Sequence, residues 1–141
     1  MSYATIADFL DGFDLEEAIA LTNQADPTAT TVDETELQTA LDNASAEIDL
    51  YVGGRYDLPL TNPPAFLGQI CLDISRYRLE HGIPREDVRQ RYEDAIKKLE
   101  AIATGKIQLP TGTGNPSDAA TRLAEWQEPT RVWDTNSLSQ F

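Results

Sequence analysis

The stretch from Val32 to Gly54 constrains this chain more than any other. It sets Leu37, Leu41, Ala44, Ile48 and Tyr51 three or four residues apart, with Gln38, Asp42, Asn43 and Asp49 on the opposite side of the same period. That spacing is one apolar face of an α-helix, not the alternation of a strand. Asp33 followed by Glu36 has the spacing of a capping box, whose side chains satisfy free N–H groups of the first turn, and Val32 is placed to pack on Leu37. Gly53-Gly54 marks the stop. A single amphipathic helix is not stable alone in water, so other parts of the chain must supply apolar faces to cover this one.

Four further segments meet that need. A first helix is predicted from Thr5 to Leu10, with Thr5 and Asp8 at capping spacing and Gly12 as its end. A second starts at Asp14, with Glu17 three residues on, and runs to Thr22. A polar loop, Asn23 to Thr31, separates it from the Asp33 helix. After an extended connector, Arg55 to Asn62, the Pro63-Pro64 pair fits the first turn of a fourth helix, where a missing N–H costs little. Its stripe of Phe66, Leu67, Ile70, Cys71, Ile74 and Tyr77 is wide enough for a central helix. A fifth begins near Pro84-Arg85-Glu86, presents Val88, Tyr92, Ala95, Leu99 and Ile102, and closes at Gly105. The reading is all-α, a small bundle of about five helices with an extended C-terminal tail. Residues 1–106 form the core and 107–141 a linker and tail.

The charge is divided along the chain. Of 24 acidic residues, 12 fall before Arg55, where there is no Lys or Arg at all. Proteins that bind duplex DNA displace counterions with Lys and Arg, so this third of the molecule repels a polyanion. A solvated face that favours solubility is the ordinary role of such a block. The basic residues Arg76, Arg78, Arg85, Arg89, Arg91, Lys97 and Lys98 alternate with Glu80, Glu86, Asp87, Glu93 and Asp94. Such mixing predicts ion pairs within or between subunits rather than a phosphate track. There is no apolar run of the roughly 20 residues that span a bilayer. The sequence shows no signal peptide after Met1.

Catalytic constellations are not seen. His81 is the single histidine, set before Gly82 where a cation meets the C-terminal end of a helix dipole. Cys71 is the single cysteine, which excludes an intramolecular disulfide and fits a reducing compartment. It lies on an apolar stripe and reads as a core side chain. One Cys and one His cannot make a structural zinc site. The loop from Asp26 to Asp33 lacks the calcium-loop pattern, and Gly112-Thr113-Gly114 is not a phosphate motif. The expectation is a non-enzyme with no catalytic, metal or cofactor residues.

Several segments carry a resemblance. They are Ser2-Tyr3-Ala4-Thr5 leading to Phe9, Ala40-Leu41-Asp42-Asn43-Ala44-Ser45-Ala46-Glu47-Ile48-Asp49-Leu50-Tyr51, and Gly54-Arg55-Tyr56-Asp57-Leu58-Pro59-Leu60. Cys71-Leu72-Asp73-Ile74-Ser75-Arg76-Tyr77 and Val88-Arg89-Gln90-Arg91-Tyr92-Glu93-Asp94-Ala95 follow in order. As an ordered set over residues 2–109 they resemble a Mu-like tailed-phage family, which is itself similar to the helical head-to-tail adaptors of phage necks. The resemblance implies a virion protein of the neck, made in the host cytoplasm. It implies a homo-oligomeric ring, commonly of twelve subunits, between the portal protein and a downstream neck or tail-completion protein. Genomic DNA would pass nearby without specific binding, and no membrane is implied. A stopper or tail-completion factor on the tail side, or an interaction module outside the virion, are the alternatives. Two departures stand out: Asn23 to Thr31 lacks an Asp-Gly turn, and the chain from Gln108 on lies outside the resemblance.

That last part has its own signal. Pro110 to Pro116 is a linker by composition, and a short helix is predicted from Ser117 to Trp126. Beyond it come Val132, Trp133, Leu138 and Phe141. Free tails are poor in aromatics, and large aromatics outside a periodic core usually anchor a contact. Trp126, Val132, Trp133, Leu138 and Phe141 are therefore the expected interface residues, docking on a neighbouring subunit or partner, with folding back on the chain's own core as the alternative.

Overall fold

The computed structural model describes residues 1–110. Among them are five helices: α1 (Ile6–Gly12), α2 (Leu15–Thr22), α3 (Glu34–Val52), α4 (Ala65–Leu79) and α5 (Glu86–Ala103). The all-α reading holds across this region. The predicted helix from Ser117 to Trp126, and the expected interface residues Trp126, Val132, Trp133, Leu138 and Phe141, lie outside the described residues.

Helices α3, α4 and α5 pack against one another and form the body of the molecule. Contacts across them fix their directions. Cys71 and Ser75 of α4 face Leu41 and Ala40 of α3, so these two run antiparallel. Glu47 meets Tyr92, and Arg55, just past α3, lies beside Gly105, just past α5, so α3 and α5 run parallel. One pole thus gathers the start of α3, the end of α4 and the start of α5. The other gathers the opposite ends, and α3 spans roughly 28 Å between them.

The core is built by the predicted periodicities. Leu37, Leu41, Ala44 and Ile48 of α3 are fully enclosed, as are Leu67, Cys71 and Ile74 of α4 and Leu99 and Ile102 of α5. Phe9 comes from α1 and Ala18 from α2. Burying a Leu or Ile side chain contributes about 1.5–3 kcal/mol, so this cluster is the dominant stabilising term. Tyr92 stacks on Tyr77, ring centroids 4.1 Å apart and 8° from parallel. Leu109 is also buried, and its N–H donates to the Tyr56 hydroxyl at 3.0 Å. The core therefore continues three residues past Lys106.

Three expectations need correction. Phe66 of the predicted stripe is exposed, while Leu72, Arg76 and Leu79 are buried instead, because α1, α3 and α5 all pack on α4. Asp14 precedes α2 without a side-chain cap, and Glu17 turns away to the arginines of later elements. α3 stops after Val52 as Gly53-Gly54 predicts, with Gly53 capping it at φ −64°. Gly53 is needed for space, since a Cβ there would meet Asp49 O at 2.8 Å and Leu58 Cδ1 at 3.0 Å.

The third correction is at α3, where the Asp33 N–H donates to Thr22 Oγ1 rather than to Glu36, so only half of the expected capping box forms. Thr5 and Asp8 form the reciprocal capping box of α1, and Asp33 accepts from the N–H groups of Thr35 and Glu36. Gly105 takes a left-handed φ of 77°, its N–H closing on Ile102 O and that of Ile107 on Ala101 O.

Candidate functional site

The two residues with the most chemical potential are occupied structurally. Cys71 is fully buried, 3.5 Å from Ser45 Oγ and 3.8 Å from Leu41 O, and burial pushes its thiol pKa up. A thiolate nucleophile requires the opposite shift. His81 Nδ1 lies 3.0 Å from Leu79 O, the last carbonyl of α4, so it sits at the helix end as its position before Gly82 predicts. Among the described residues no group of His, Cys, Asp and Glu side chains is arranged to hold a metal. No described helix is long and apolar enough to cross a membrane.

The basic residues are largely consumed within the fold. Arg76, only 7% exposed, donates to Glu17 and lies over the Phe13 ring with 4.9 Å between its guanidinium carbon and the ring centroid. Arg85 pairs with Glu17 and Glu80, Arg78 with Glu47, Arg89 with Glu86 and Glu93, and Lys97 with Asp94. The alternating charge pattern is therefore an intramolecular network, as expected. The first half of the chain keeps an excess: Asp11, Asp14, Glu16, Glu34, Glu36 and Asp42 make no ion pair among the described residues.

What the molecule offers is a surface for contact, at the pole where α2, the α2–α3 loop and the α4–α5 turn meet. Three concavities there, of about 480, 420 and 450 Å³, share Gln24 as a wall, and two of them share Ala20. Gln24 fixes the arrangement: its Nε2 donates to Leu79 O at 2.7 Å and ties the loop to the end of α4. Thr22 holds the other edge, donating to Ala18 O and accepting from the Asp33 N–H at 3.1 Å. Asp26 orders the loop tip through Thr28, and that contact holds its carboxyl below the usual range. The loop that lacks an Asp-Gly turn is thus set by side-chain bonds instead.

The floor of this groove includes Ile19, Ala20, Pro27 and Ala29. The neighbouring hollow, which shares Ala20 and Gln24, carries Ile83, 98% exposed between Gly82, at φ 96°, and Pro84, beside Glu17, Glu80, His81 and Arg85. Glu16, Asp26 and Glu36 line the other two hollows. Sequence reasoning missed the groove because its walls come from segments some 60 residues apart. One signal was available: an isoleucine between two helix breakers has no helical neighbour to bury it.

The described residues thus form a helical body with no assembled reaction centre among them, unpaired carboxylates over residues 1–54 and shallow hollows at one pole. The protein's family can be stated. The chain matches the family model described as Bacteriophage Mu, Gp36 over residues 3–127, and it belongs to that family of bacteriophage proteins. It is similar to the Mu-like prophage FluMu protein gp36 of Haemophilus influenzae (strain ATCC 51907 / DSM 11121 / KW20 / Rd), with 39% identity over 115 residues, 82% of each chain. It is also similar to Gene product J of Escherichia phage Mu, with 31% identity over 106 residues, 75% of this chain and 74% of the other. The Mu-like resemblance is confirmed. It also extends further than expected, because the family match runs past Gln108 to residue 127 and takes in Trp126.

Proposed function

We propose that this protein is a structural, non-catalytic component of the phage neck: a head-to-tail adaptor whose subunits form a ring, of twelve copies in the simplest case, below the portal protein. Residues 1–110 are the body of each subunit, and the segment after Leu109 reaches a neighbour or partner through Trp126, Val132, Trp133, Leu138 and Phe141. A downstream neck or tail-completion protein docks on the other side. The observation that carries this reading is the pairing of membership in a Mu-like phage family with an acidic first third that has no Lys or Arg. A conduit for DNA must let a polyanion slide without holding it, and carboxylates facing the lumen repel phosphate.

The test is the content of purified virions. Mass spectrometry should find the protein there, and labelled particles should show it at the neck as a ring. Absence from virions would leave the reading without support, and a position on the tail would favour a stopper or tail-completion role. Deleting Thr113 to Phe141 should leave core helicity and melting nearly unchanged while abolishing incorporation into particles.

A further inference from the structure

The groove at the α2 pole has no occupant in the described residues, and its chemistry limits what suits it. It is three adjoining hollows that meet at Gln24: one holds Ile19 and Ala20 with Glu16 and Asp26, the next holds Ala20 and the exposed Ile83 with Glu17, Glu80, His81 and Arg85, and the third holds Leu21 with Glu36 and His81. Glu16 and Glu36 make no ion pair among the described residues. A fitting ligand is an aromatic or aliphatic peptide with a cation beside it.

The chain carries such a peptide. Beyond Pro110 its only basic residues are Arg122 and Arg131, and each stands within four residues of a tryptophan, Trp126 and Trp133. The described residues end just past Leu109, which is tied to Tyr56 at the pole where α3 and α5 end. The groove lies at the other pole. From Pro110 to Arg131 the extended chain reaches up to roughly 70 Å, more than twice the length of the bundle.

We propose that the groove receives the C-terminal segment of a neighbouring copy, with Trp133 against Ile83 and Ile19 and Arg131 against the acidic rim. A receptor at one pole and a plug leaving from the opposite pole make a heterologous contact. Such contacts repeat from copy to copy and close into a ring when the rotation permits. The proposal rests on the ring reading above and names the surface that joins one subunit to the next.

Both tryptophans lie beyond Pro110 and all five tyrosines before it, so selectively excited tryptophan emission reports on that segment alone. Full-length protein is titrated from micromolar to millimolar, with sedimentation measured alongside. The expected result is tryptophan emission that moves to shorter wavelength in step with the rise in mass. Ile83→Asp, at a position 98% exposed, should weaken association at least about tenfold while leaving circular dichroism and melting unchanged. Glu36→Lys should weaken it as well, and combining it with Arg131→Glu should restore part of the loss.

Emission already shifted at the lowest concentration would place the segment in its own groove and overturn the proposal. So would a rise in mass without a change in emission, a chain that stays monomeric throughout, or association indifferent to Ile83→Asp. Virion content separates this from the neck reading. Association through the groove by a protein absent from virions would overturn the neck role alone. Neck incorporation that survives Ile83→Asp, with association unchanged, would overturn the groove alone.

Discussion

Glu17 holds two arginines at once, and they are not equivalent. Arg76 is 7% exposed and Arg85 has a side chain 56% exposed. An exposed pair is worth about 0–1 kcal/mol, whereas removing one partner of a buried charge costs about 3–5 kcal/mol. Glu17→Ala should therefore destabilise the protein by about 3 kcal/mol and Arg85→Ala by less than about 1 kcal/mol, measured by urea denaturation. The local sequence gave Glu17 the place of a capping residue, because its partners lie 59 and 68 residues away and no window of sequence contains both. Tyr3 offers a pH test. Its hydroxyl donates to Asp49 Oδ1 at 2.6 Å, and burial with that carboxylate raises its pKa well above 10. A raised pKa means the folded state holds the proton more tightly than the unfolded one. The stability it adds is complete below pH 10 and is lost as pH rises beyond it. Tyr3→Phe should cost about 1.5–3 kcal/mol at neutral pH and make unfolding less sensitive to pH above 10. Alkaline melting curves of the two proteins that stay parallel would refute this.

The end of α3 separates two glycines that look alike in sequence. A Cβ at Gly53 meets the Asp49 carbonyl, whereas at Gly54 the nearest atom is Tyr51 O at 3.9 Å. Gly53→Ala should lower stability by about 1–3 kcal/mol through forced displacement, while Gly54→Ala should be neutral or stabilising by up to about 1 kcal/mol. Thermal melts of both variants decide it, and equal effects would contradict the packing assigned to Gly53. Helices were legible wherever a cap and a period agreed. Thr5 with Asp8, Asp33 with its first turn, and Gly105 each act locally, over a few residues. The faces of α4 were less legible. A helix packed on three sides buries more than one stripe, so Leu72, Arg76 and Leu79 joined the core and Phe66 left it. The groove was not legible at all, since α2, the loop pinned by Gln24, and the turn carrying Ile83 meet only once the bundle has formed.

For the whole molecule, the decisive property is where charge remains after folding. Arg76, Arg78, Arg85 and Arg89 are engaged by Glu17, Glu47, Glu80, Glu86 and Glu93, so folding pairs many of the basic residues and leaves acidic ones over. The full-length protein should therefore show no retention of duplex DNA in a gel-shift assay at physiological salt. Replacing Glu34, Glu36 and Asp42 together by Lys should produce binding that weakens as salt rises, since each new phosphate contact adds to the salt slope. Failure of the triple variant to bind would mean that these three carboxylates are not what keeps DNA off.

The attachment of Leu109 to Tyr56 also has a mechanical side. A segment that leaves straight from the end of a helix peels that helix apart turn by turn when pulled. Here Leu109 is buried, its N–H is held by the Tyr56 hydroxyl, and the Arg55 side chain fills the space over Gly105. Tension on residues beyond Pro110 enters the body between α3 and α5, across a packed apolar seam. Those two helices must then slide past each other before either unwinds. A joint loaded in that direction resists a brief, strong pull.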